Sequence, residues 1–270
     1  MKTATQALSA LTIAGSDSGG GAGIQADLKT FAAHGVHGLS AVAALTAQHT
    51  RGVTAMNVPP LDFLRAQIDA CFDDFAIGAV KLGMLANAEV IETVADAVQT
   101  FRAPWVVLDP VMVATSGAKL LEDSALEALR RRLFPLASVV TPNLPEAELL
   151  LGRKISDRQA MHSAAAALLA LGARSVLLKG GHLPDNGEVI DLFADANGIR
   201  EIAHPRLQLE AHGTGCTLAS AIAANLCLGM RMPEACAAAS DYVHAALLNG
   251  YRPGRGDIVV LGHFGAAPSR

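Results

Sequence analysis

The sequence predicts a single α/β domain: a three-layer α/β/α sandwich whose central sheet is mostly parallel, with antiparallel strands at one edge. Short apolar runs alternate with alanine-rich amphipathic runs through the first two thirds of the 270 residues, a pattern typical of a parallel sheet covered by helices. Two apolar runs then flank Asn197-Gly198, a dipeptide that indicates an antiparallel hairpin. We expect one domain over residues 1–270, with residues 1–9 and about 257–270 loosely held.

Each element follows from its apolar spacing and from the glycine, proline and polar residues that bound it. Strands are predicted at 11–14, 38–47, 53–58, 76–82, 105–108, 138–141, 175–178, 188–193, 199–203 and 206–210. Helices are predicted at 24–34, 61–75, 88–101, 124–133, from about 145, and at 157–171, 215–229 and 233–248.

Composition excludes several classes of protein. Hydrophobic residues make up 51% of the chain and charged residues 17%, which favours a large aliphatic core over disorder. A net charge of −4 argues against nucleic acid or an anionic membrane as partner. The four cysteines form no Cys-x-x-Cys pair, and neither a signal peptide nor a membrane-spanning run is recognisable. We therefore expect a cytoplasmic protein with reduced thiols.

Polar or glycine-rich stretches follow most of the predicted strands. They lie at 15–23, 48–52, 83–84, 109–112, 141–146, 179–182 and 212–216. Because the carboxyl ends of parallel strands meet at one edge of a sheet, these stretches are expected to line one long cleft. The first of them matches neither the dinucleotide fingerprint nor the P-loop, but its glycines allow close approach of a small ligand, with Asp17, Gln25 and Asp27 as possible polar contacts.

The stretch Gly213–Cys216 immediately precedes a long apolar run that is predicted to be helical. A helix start presents unpaired N–H groups and the positive end of the helix dipole, which together favour an anion. The same dipole is expected to lower the pKa of the Cys216 thiol. An ordinary glycine-rich turn before a core helix explains the same residues, and the local pattern leaves both interpretations open.

Three carboxylate or amide side chains in the other stretches are candidates for a metal or phosphate site. Asp109 directly follows a buried strand, where it is either such a group or a turn aspartate before Pro110. Asn143 and Glu146 are either ligand contacts or a helix cap with a first-turn carboxylate.

Residues 14–31 resemble the N-terminal signature of the hydroxymethylpyrimidine kinase/phosphomethylpyrimidine kinase family, which belongs to the ribokinase-like superfamily. Further blocks of resemblance follow in the same order at 46–53, 81–85, 108–112, 141–147, 179–182 and 212–216. The resemblance implies a ribokinase-like fold and two successive ATP-dependent phosphorylations in thiamine biosynthesis. It also implies Mg²⁺ as cofactor and a homodimer.

The resemblance assigns roles to the residues of the phosphate-handling half of the cleft. Gly213, Thr214 and Gly215 would stabilise the transferring phosphate, and Cys216 would act as base. The remaining assignments are Asn143, Lys179 and Thr214 to ATP and phosphate, with Glu146 and Asp109 to Mg²⁺, directly or through water.

In the substrate half, Gln48 would hydrogen-bond the aminopyrimidine, since an amide offers both a donor and an acceptor. Gly15, Asp17, Met84 and Val111 would line the same pocket. His49, Thr115 and Ala211 stand where many relatives carry asparagine, lysine and threonine.

Three other functions remain open at this point. The first is a pyridoxal kinase, because pyridoxal also carries a hydroxymethyl group on a heteroaromatic ring. The second is a pyrimidine-binding relative without catalysis. The third is a hydrolase in which Cys216 pairs with His182 or His212; it would leave the Asn-x-x-Glu motif and the glycine-rich loop without a role.

Overall fold

The structure is a computed structural model that describes residues 7–112, 123–184 and 187–268. Its central sheet comprises β1 (Ser9–Gly15), β2 (His37–His49), β3 (Gly52–Asn57), β4 (Ile77–Leu82), β5 (Val106–Leu108), β6 (Val139–Val140), β7 (Ser175–Leu178), β8 (Glu188–Asp195) and β9 (Gly198–Pro205). The helices in the described ranges are α1 (Gly23–Ala33), α2 (Leu61–Asp74), α3 (Ala88–Phe101), α4 (Asp123–Ala128), α5 (Leu144–Leu151), α6 (Arg158–Leu169), α7 (Thr214–Cys227) and α8 (Met232–Leu248).

The strands lie in the order β3-β2-β1-β4-β5-β6-β7-β8-β9. The six central strands, from β2 to β7, pair in parallel. Antiparallel strands stand at both ends: β3 beside β2, and the β8–β9 hairpin beside β7. The mostly parallel sheet and the antiparallel hairpin at one edge are confirmed, and β3 adds an antiparallel strand at the other edge, for which no direction was predicted.

Two apolar clusters on opposite faces of the sheet make the three layers. Leu11 and Ile13 of β1 pack with α2, α3, α5 and α6, whereas Ala10, which precedes them, points to the other face and packs with α1, α7 and α8. Every residue of β1 is buried. Such burial on both faces is what a parallel strand covered by helices requires.

Helix α7 starts at the carboxyl edge of the sheet and runs back beneath it. Its residues are buried without interruption from Thr217 to Cys227. Four of them are alanines, whose small side chains let the helix approach the sheet closely. The N-terminus of α7 is therefore held firmly at the edge where the polar stretches meet.

The C-terminal region differs from the sequence prediction. The predicted strand at 206–210 is absent from these described residues; instead β10 (Ala211–His212) pairs in parallel with β11 (Val259–Val260) in a separate two-stranded sheet. Val260, Leu261 and His263 are buried, so the expected loose tail is wrong for this part of it. This part of the tail is held in place because β11 pairs with β10, which anchors the tail beside Gly213.

The predicted helix at 124–133 is also more complex, because α4 continues as a π-helical turn (Leu129–Leu133) and a 3₁₀ turn (Phe134–Leu136). Thr115 and residues 1–6 lie outside the described residues. Among the helices of the described ranges, none combines the length and the apolar character needed to cross a membrane.

Candidate active site

A cavity of about 650 Å³ lies at the carboxyl edge of the parallel strands. All seven polar or glycine-rich stretches contribute to its wall. The predicted site residues that line it are Gly15, Asp17, Gln48, Met84, Asp109, Val111, Asn143, Glu146, Lys179, Gly213, Thr214, Gly215 and Cys216. The sheet thus brings these thirteen residues together, whereas Gln25 and Asp27, which were also named as possible polar contacts, do not line the cavity.

The turn that begins α7 requires glycine at its first position. Gly213 is the N-cap residue, and its backbone has φ +89°, the left-handed region that favours glycine. A side chain there would also overlap the backbone carbonyl of Gly21. The turn is therefore packed directly against the glycine-rich loop that follows β1, and the unpaired N–H groups at the start of α7 border the cavity.

The Cys216 thiol lies where two helices begin. It stands in the first turn of α7, and its sulfur accepts a hydrogen bond from the backbone N–H of Gly23, the first residue of α1. Burial nevertheless raises the pKa of Cys216 to about 11, against the opposing attraction of Lys81. The expectation of a lowered pKa for this thiol is therefore wrong, because burial outweighs the attraction of Lys81 and the hydrogen bond from Gly23.

Asp109, Glu146 and Lys179 form a charged cluster on the cavity wall, here called the open cluster. Lys179 Nζ lies 3.2 Å from Asp109 Oδ1 and 4.0 Å from Glu146 Oε2. Burial and the negative charge of Asp109 raise the pKa of Glu146 to about 7, although Lys179 opposes this shift. One ammonium group thus faces two carboxylates, which leaves an excess of negative charge at this wall.

Asn143 and Glu146 also form a reciprocal cap at the start of α5. Asn143 Oδ1 accepts from the Glu146 N–H at 2.9 Å, and Glu146 Oε2 accepts from the Asn143 N–H at 2.8 Å. The capping interpretation is therefore confirmed. It leaves Glu146 with acceptor capacity toward the cavity, since a carboxylate offers about four lone-pair directions.

The donor set of the open cluster fits a hard cation. Its carboxylate oxygens are the ligands that Mg²⁺ prefers, and Mg²⁺ completes its shell with phosphates and water. Within residues 7–112, 123–184 and 187–268, no group of three or more His, Cys, Asp or Glu side chains is arranged to hold a metal. Asp109 and Glu146 would therefore hold Mg²⁺ together with phosphate oxygens and water.

Asp17 organises the glycine-rich loop. Its carboxylate accepts hydrogen bonds from the backbone N–H groups of Gly19, Gly21 and Ala22 and lies 3.1 Å from His212 Nε2. Burial raises the pKa of Asp17, but the hydrogen bond from His212 and those from the backbone outweigh burial and lower it overall. Asp17 borders the cavity, yet most of its acceptor capacity serves the loop.

The same hydrogen-bond chain defines the orientation of the Gln48 carboxamide. Gln48 Nε2 lies 3.0 Å from His212 Nε2, and Gln48 Oε1 accepts a hydrogen bond from the Thr46 hydroxyl at 3.0 Å. The Thr46 hydroxyl also lies 2.8 Å from the Ser16 carbonyl oxygen. Both ends of the amide are thus held in place, and each keeps capacity for one further hydrogen bond.

Met84 packs against Ala44, Ala86 and Val111 and borders the cavity. A side chain at Gly15 would overlap the end of Met84. Met84 is therefore both a core residue and part of the cavity wall, and the glycine at position 15 makes room for the end of its side chain.

One pair beside Cys216 was not identified as such from the sequence. Lys81 Nζ forms a 2.9 Å ion pair with Asp27 Oδ2, and both side chains are fully buried. Asp27 was expected to contact a ligand, but it faces inward. The signal that could have found the pair is a lysine within the apolar strand β4, since a charge at such a position requires a partner.

The profile of one known protein family, described as phosphomethylpyrimidine kinase, matches residues 17–260. This chain belongs to the phosphomethylpyrimidine kinase family. The hydroxymethylpyrimidine/phosphomethylpyrimidine kinase of Rhizobium meliloti is 51% identical over 240 residues, which cover 88% of this chain and 90% of the relative. The thiamine biosynthesis bifunctional protein ThiED of Geobacter sulfurreducens is 51% identical over 92% of this chain; this chain spans about half of it, 51%.

Solved structures of the same fold include both a phosphomethylpyrimidine kinase and pyridoxal kinases. The phosphomethylpyrimidine kinase of Clostridium difficile superposes with a TM-score of 0.78 and 41% identity, over 88% of this chain and 98% of that chain. The Bacillus subtilis pyridoxal kinase, in an ADP complex, gives 0.88 and 34%, over 96% and 98%. The Staphylococcus aureus pyridoxal kinase, in complex with AMP-PCP, gives 0.88 and 32%, over 97% and 95%. These neighbours confirm the ribokinase-like fold.

Proposed function

We propose that this kinase transfers the γ-phosphoryl group of ATP to the hydroxymethyl group of 4-amino-5-hydroxymethyl-2-methylpyrimidine and then phosphorylates the monophosphate, for thiamine biosynthesis. The observation that carries the proposal is the single cavity of about 650 Å³ that joins the Cys216 turn, the Gln48 pocket and the open cluster. The naming of relatives at about 50% identity supports the same substrate.

The pyrimidine is assigned to the end of the cavity formed by Gly15, Asp17, Gln48, Met84 and Val111. Met84 and Val111 provide apolar contacts for a flat ring. Gln48 has one amide hydrogen and one oxygen lone pair beyond those used by Thr46 and His212, which matches an exocyclic amine beside a ring nitrogen. The hydroxymethyl group would then point toward Cys216.

The phosphates are assigned to the middle of the cavity. The backbone N–H groups of Thr214, Gly215 and Cys216 offer donors for the transferring phosphoryl group, with Lys179 as a positive charge and Asn143 as a further polar contact. A Cβ atom on Gly215 would lie 3.1 Å from Lys179 Nζ, so the glycine leaves room for phosphate oxygens between the turn and the lysine.

The nucleoside of ATP is assigned to the apolar far end, where Leu207, Leu209, Val243 and Leu247 line the cavity. With pyrimidine, phosphates and nucleoside in that order, the acceptor hydroxyl and the leaving ADP would lie on opposite sides of the γ-phosphorus. In-line transfer requires that arrangement.

In the first transfer the hydroxymethyl oxygen forms a bond to the γ-phosphorus, the bond from that phosphorus to the β-phosphate oxygen breaks, and ADP leaves. The hydroxyl proton passes to the Cys216 thiolate, which later returns it to solvent. Asp109 and Glu146 would hold Mg²⁺, directly or through water, and the ion would neutralise charge on the phosphates. The monophosphate takes the same position in the second transfer, with its own oxygen as nucleophile.

Pyridoxal phosphorylation is the second candidate, favoured by the likeness to two pyridoxal kinases at a TM-score of 0.88. A hydrolase with a Cys216–His212 pair is not favoured, because His212 contacts Asp17 and Gln48 and the Cys216 sulfur accepts a hydrogen bond from Gly23. A homodimer and a cytoplasmic location stay predictions from the resemblance and the sequence.

A coupled ADP-release assay with hydroxymethylpyrimidine, its monophosphate and pyridoxal compares these substrates directly. We expect the highest kcat/KM for hydroxymethylpyrimidine and substrate-dependent ADP release with the monophosphate. Far better turnover of pyridoxal would overturn the main proposal in favour of the second candidate. ATP consumption that no acceptor stimulates would support a non-catalytic binding relative.

A further inference from the structure

The Asp27–Lys81 ion pair has no role in the chemistry assigned above. Lys81 in β4 and Asp27 in α1 are both fully removed from solvent, with 2.9 Å between Nζ and Oδ2. Removing two charges from water carries a large desolvation cost. A buried pair of this kind beside a reactive thiol therefore requires an explanation other than stability.

Hydroxyl groups hold Asp27 from two further elements. Thr12 of β1 donates to Asp27 Oδ2 at 2.6 Å, and Ser220 of α7 donates to Oδ1 at 2.7 Å. Ser220 lies four residues after Cys216 on the same helix, so the two side chains share one face of α7. The pair is thereby fixed beneath the helical turn that presents the thiol.

Lys81 reaches toward the cavity from this pair. Its side chain and Cys216 contribute to the wall of the same cavity. A Cβ atom on Gly83 would lie 2.7 Å from Lys81 Nζ, so the glycine at that position makes room for the ammonium group. The Asp27 carboxylate, itself held by the two hydroxyls, positions the ammonium group at this point.

Charged groups act on the Cys216 sulfur from several elements. Lys81 and Lys179 favour the thiolate from the ends of β4 and β7, whereas Asp27 in α1 and Asp109 after β5 oppose it. Lys81 is the strongest favourable influence among them. Lys179 faces the two carboxylates of the open cluster, whereas Lys81 is paired with one, so the charge of Lys81 is the less neutralised of the two.

We propose that Lys81, fixed by Asp27, Thr12 and Ser220, is the positioning residue that stabilises the thiolate form of Cys216. The inference deepens the proposed function, on which it rests, by naming the group that opposes the effect of burial on the thiol. It also explains why the ion pair is closed to solvent, because an ammonium exposed to water would be screened and would act on the sulfur more weakly.

The test is the pH dependence of Cys216 alkylation by iodoacetamide, followed by peptide-resolved mass spectrometry without ATP or pyrimidine. The variants are Lys81→Met, Asp27→Asn and the double variant Asp27→Asn/Lys81→Met, which leaves no unpaired buried charge and keeps the fold if a single variant loses it. Lys154→Met, at an exposed lysine, controls for loss of a charge. Cys71, which is half-buried in α2, is the internal reference.

We expect Lys81→Met to slow Cys216 alkylation by about tenfold at a given pH, which corresponds to a thiol pKa about one unit higher. Asp27→Asn should accelerate the alkylation, and the double variant should lie between Lys81→Met and wild type. Cys71 should react equally in all of them. Opposite effects of the two single variants are expected only from electrostatics, because a loss of packing shifts both in one direction.

An unchanged Cys216 profile in Lys81→Met and in the double variant would overturn the inference, as would shifts of the same sign in both single variants. The assay contains no kinase substrate. If the proposed function fails, the ADP-release assay will show it while the alkylation profiles are as expected. If the inference fails, the alkylation profiles will show it while ADP release is as expected.

Discussion

Two lysine–carboxylate clusters lie beside the Gly213–Cys216 turn, and they differ in balance and in exposure. The Asp27–Lys81 pair matches one lysine with one carboxylate, and both side chains are fully buried. In the open cluster Lys179 faces both Asp109 and Glu146 and is 16% exposed. The first cluster is complete within the protein; the second has excess negative charge and an opening to the cavity.

The two clusters show that one fold can use lysine and carboxylate side chains for two separate tasks. A closed, neutral pair provides a permanent field that no solvent screens. An open cluster with surplus carboxylate charge gains most from binding a cation and phosphates. Substitutions that neutralise one carboxylate in each cluster should therefore have opposite consequences for stability.

The largest expected effect is that of Asp27→Asn on stability, compared with Glu146→Gln. Asp27→Asn leaves the buried Lys81 ammonium unpaired and should lower the free energy of unfolding by ~3–5 kcal/mol. Glu146→Gln removes surplus charge and should leave stability unchanged or raise it. Urea unfolding of both variants at pH 7.5 measures the contrast; equal losses would show that the two clusters do not differ in balance.

Asp109→Asn should lower kcat/KM by about 100- to 1000-fold, the scale of losing one preorganised electrostatic group. The physical reason is that the variant removes a carboxylate from the wall assigned to Mg²⁺ and places an amide beside Lys179. Steady-state ADP release over a Mg²⁺ titration checks it. Asp69→Asn, on the exposed face of α2, is the matched control, and activity of Asp109→Asn close to that control would remove Asp109 from the site.

Hydroxyl groups offer a smaller, matched comparison. Thr12 donates to Asp27 at 2.6 Å, whereas Thr141 donates to Asp109 at 3.2 Å. Thr12→Val should cost ~1.5–3 kcal/mol, the range for a hydrogen bond to a charged group, and Thr141→Val should cost less because its bond is longer. Thermal unfolding of the two isosteric variants measures both losses of stability. A larger loss for Thr141→Val than for Thr12→Val would contradict this expectation.

The smallest expected effect is a pH dependence of Mg²⁺ affinity. Burial and Asp109 raise the pKa of Glu146 to about 7, so protons compete with the cation below that pH and the affinity rises as the pH increases through 7. We expect about tenfold weaker binding one unit below the pKa. Calorimetric Mg²⁺ titration in the presence of ADP measures this. In Glu146→Gln, Mg²⁺ affinity should keep only the pH dependence that ADP itself contributes. A pH profile identical to that of the wild type would exclude Glu146 as the source of the pH dependence.

Much of the fold could be predicted because parallel strands and their covering helices carry strong periodic signals. The position of the cleft followed from the same alternation, since each polar stretch comes after a strand. The antiparallel β3 was recognised as extended but not assigned a direction. The two-residue connection between His49 and Gly52 was the available signal, because only a hairpin can bridge so short a distance. β10 and β11 are too short for any periodicity to reveal them.

The electrostatics of the site could not be predicted in the same way. The helix N-terminus at Cys216 is visible in the sequence, but the burial that raises the pKa of the thiol depends on how α1, β4 and α7 pack. Asp27 and Lys81 are 54 positions apart, and their pairing is a property of the folded chain. Sequence patterns identify which residues reach the edge of the sheet, whereas the pairing of opposite charges across the sheet is visible only in the folded structure.

The central claim is that the cavity transfers phosphate to a hydroxymethyl group with Cys216 as the proton acceptor. Single-turnover transfer of the labelled γ-phosphate from ATP to hydroxymethylpyrimidine in Cys216→Ala tests it most directly, together with the binding constants of both substrates. We expect a rate at least ~100-fold below wild type, with binding of ATP and of the pyrimidine largely retained. Transfer near the wild-type rate would show that the thiol is not the base.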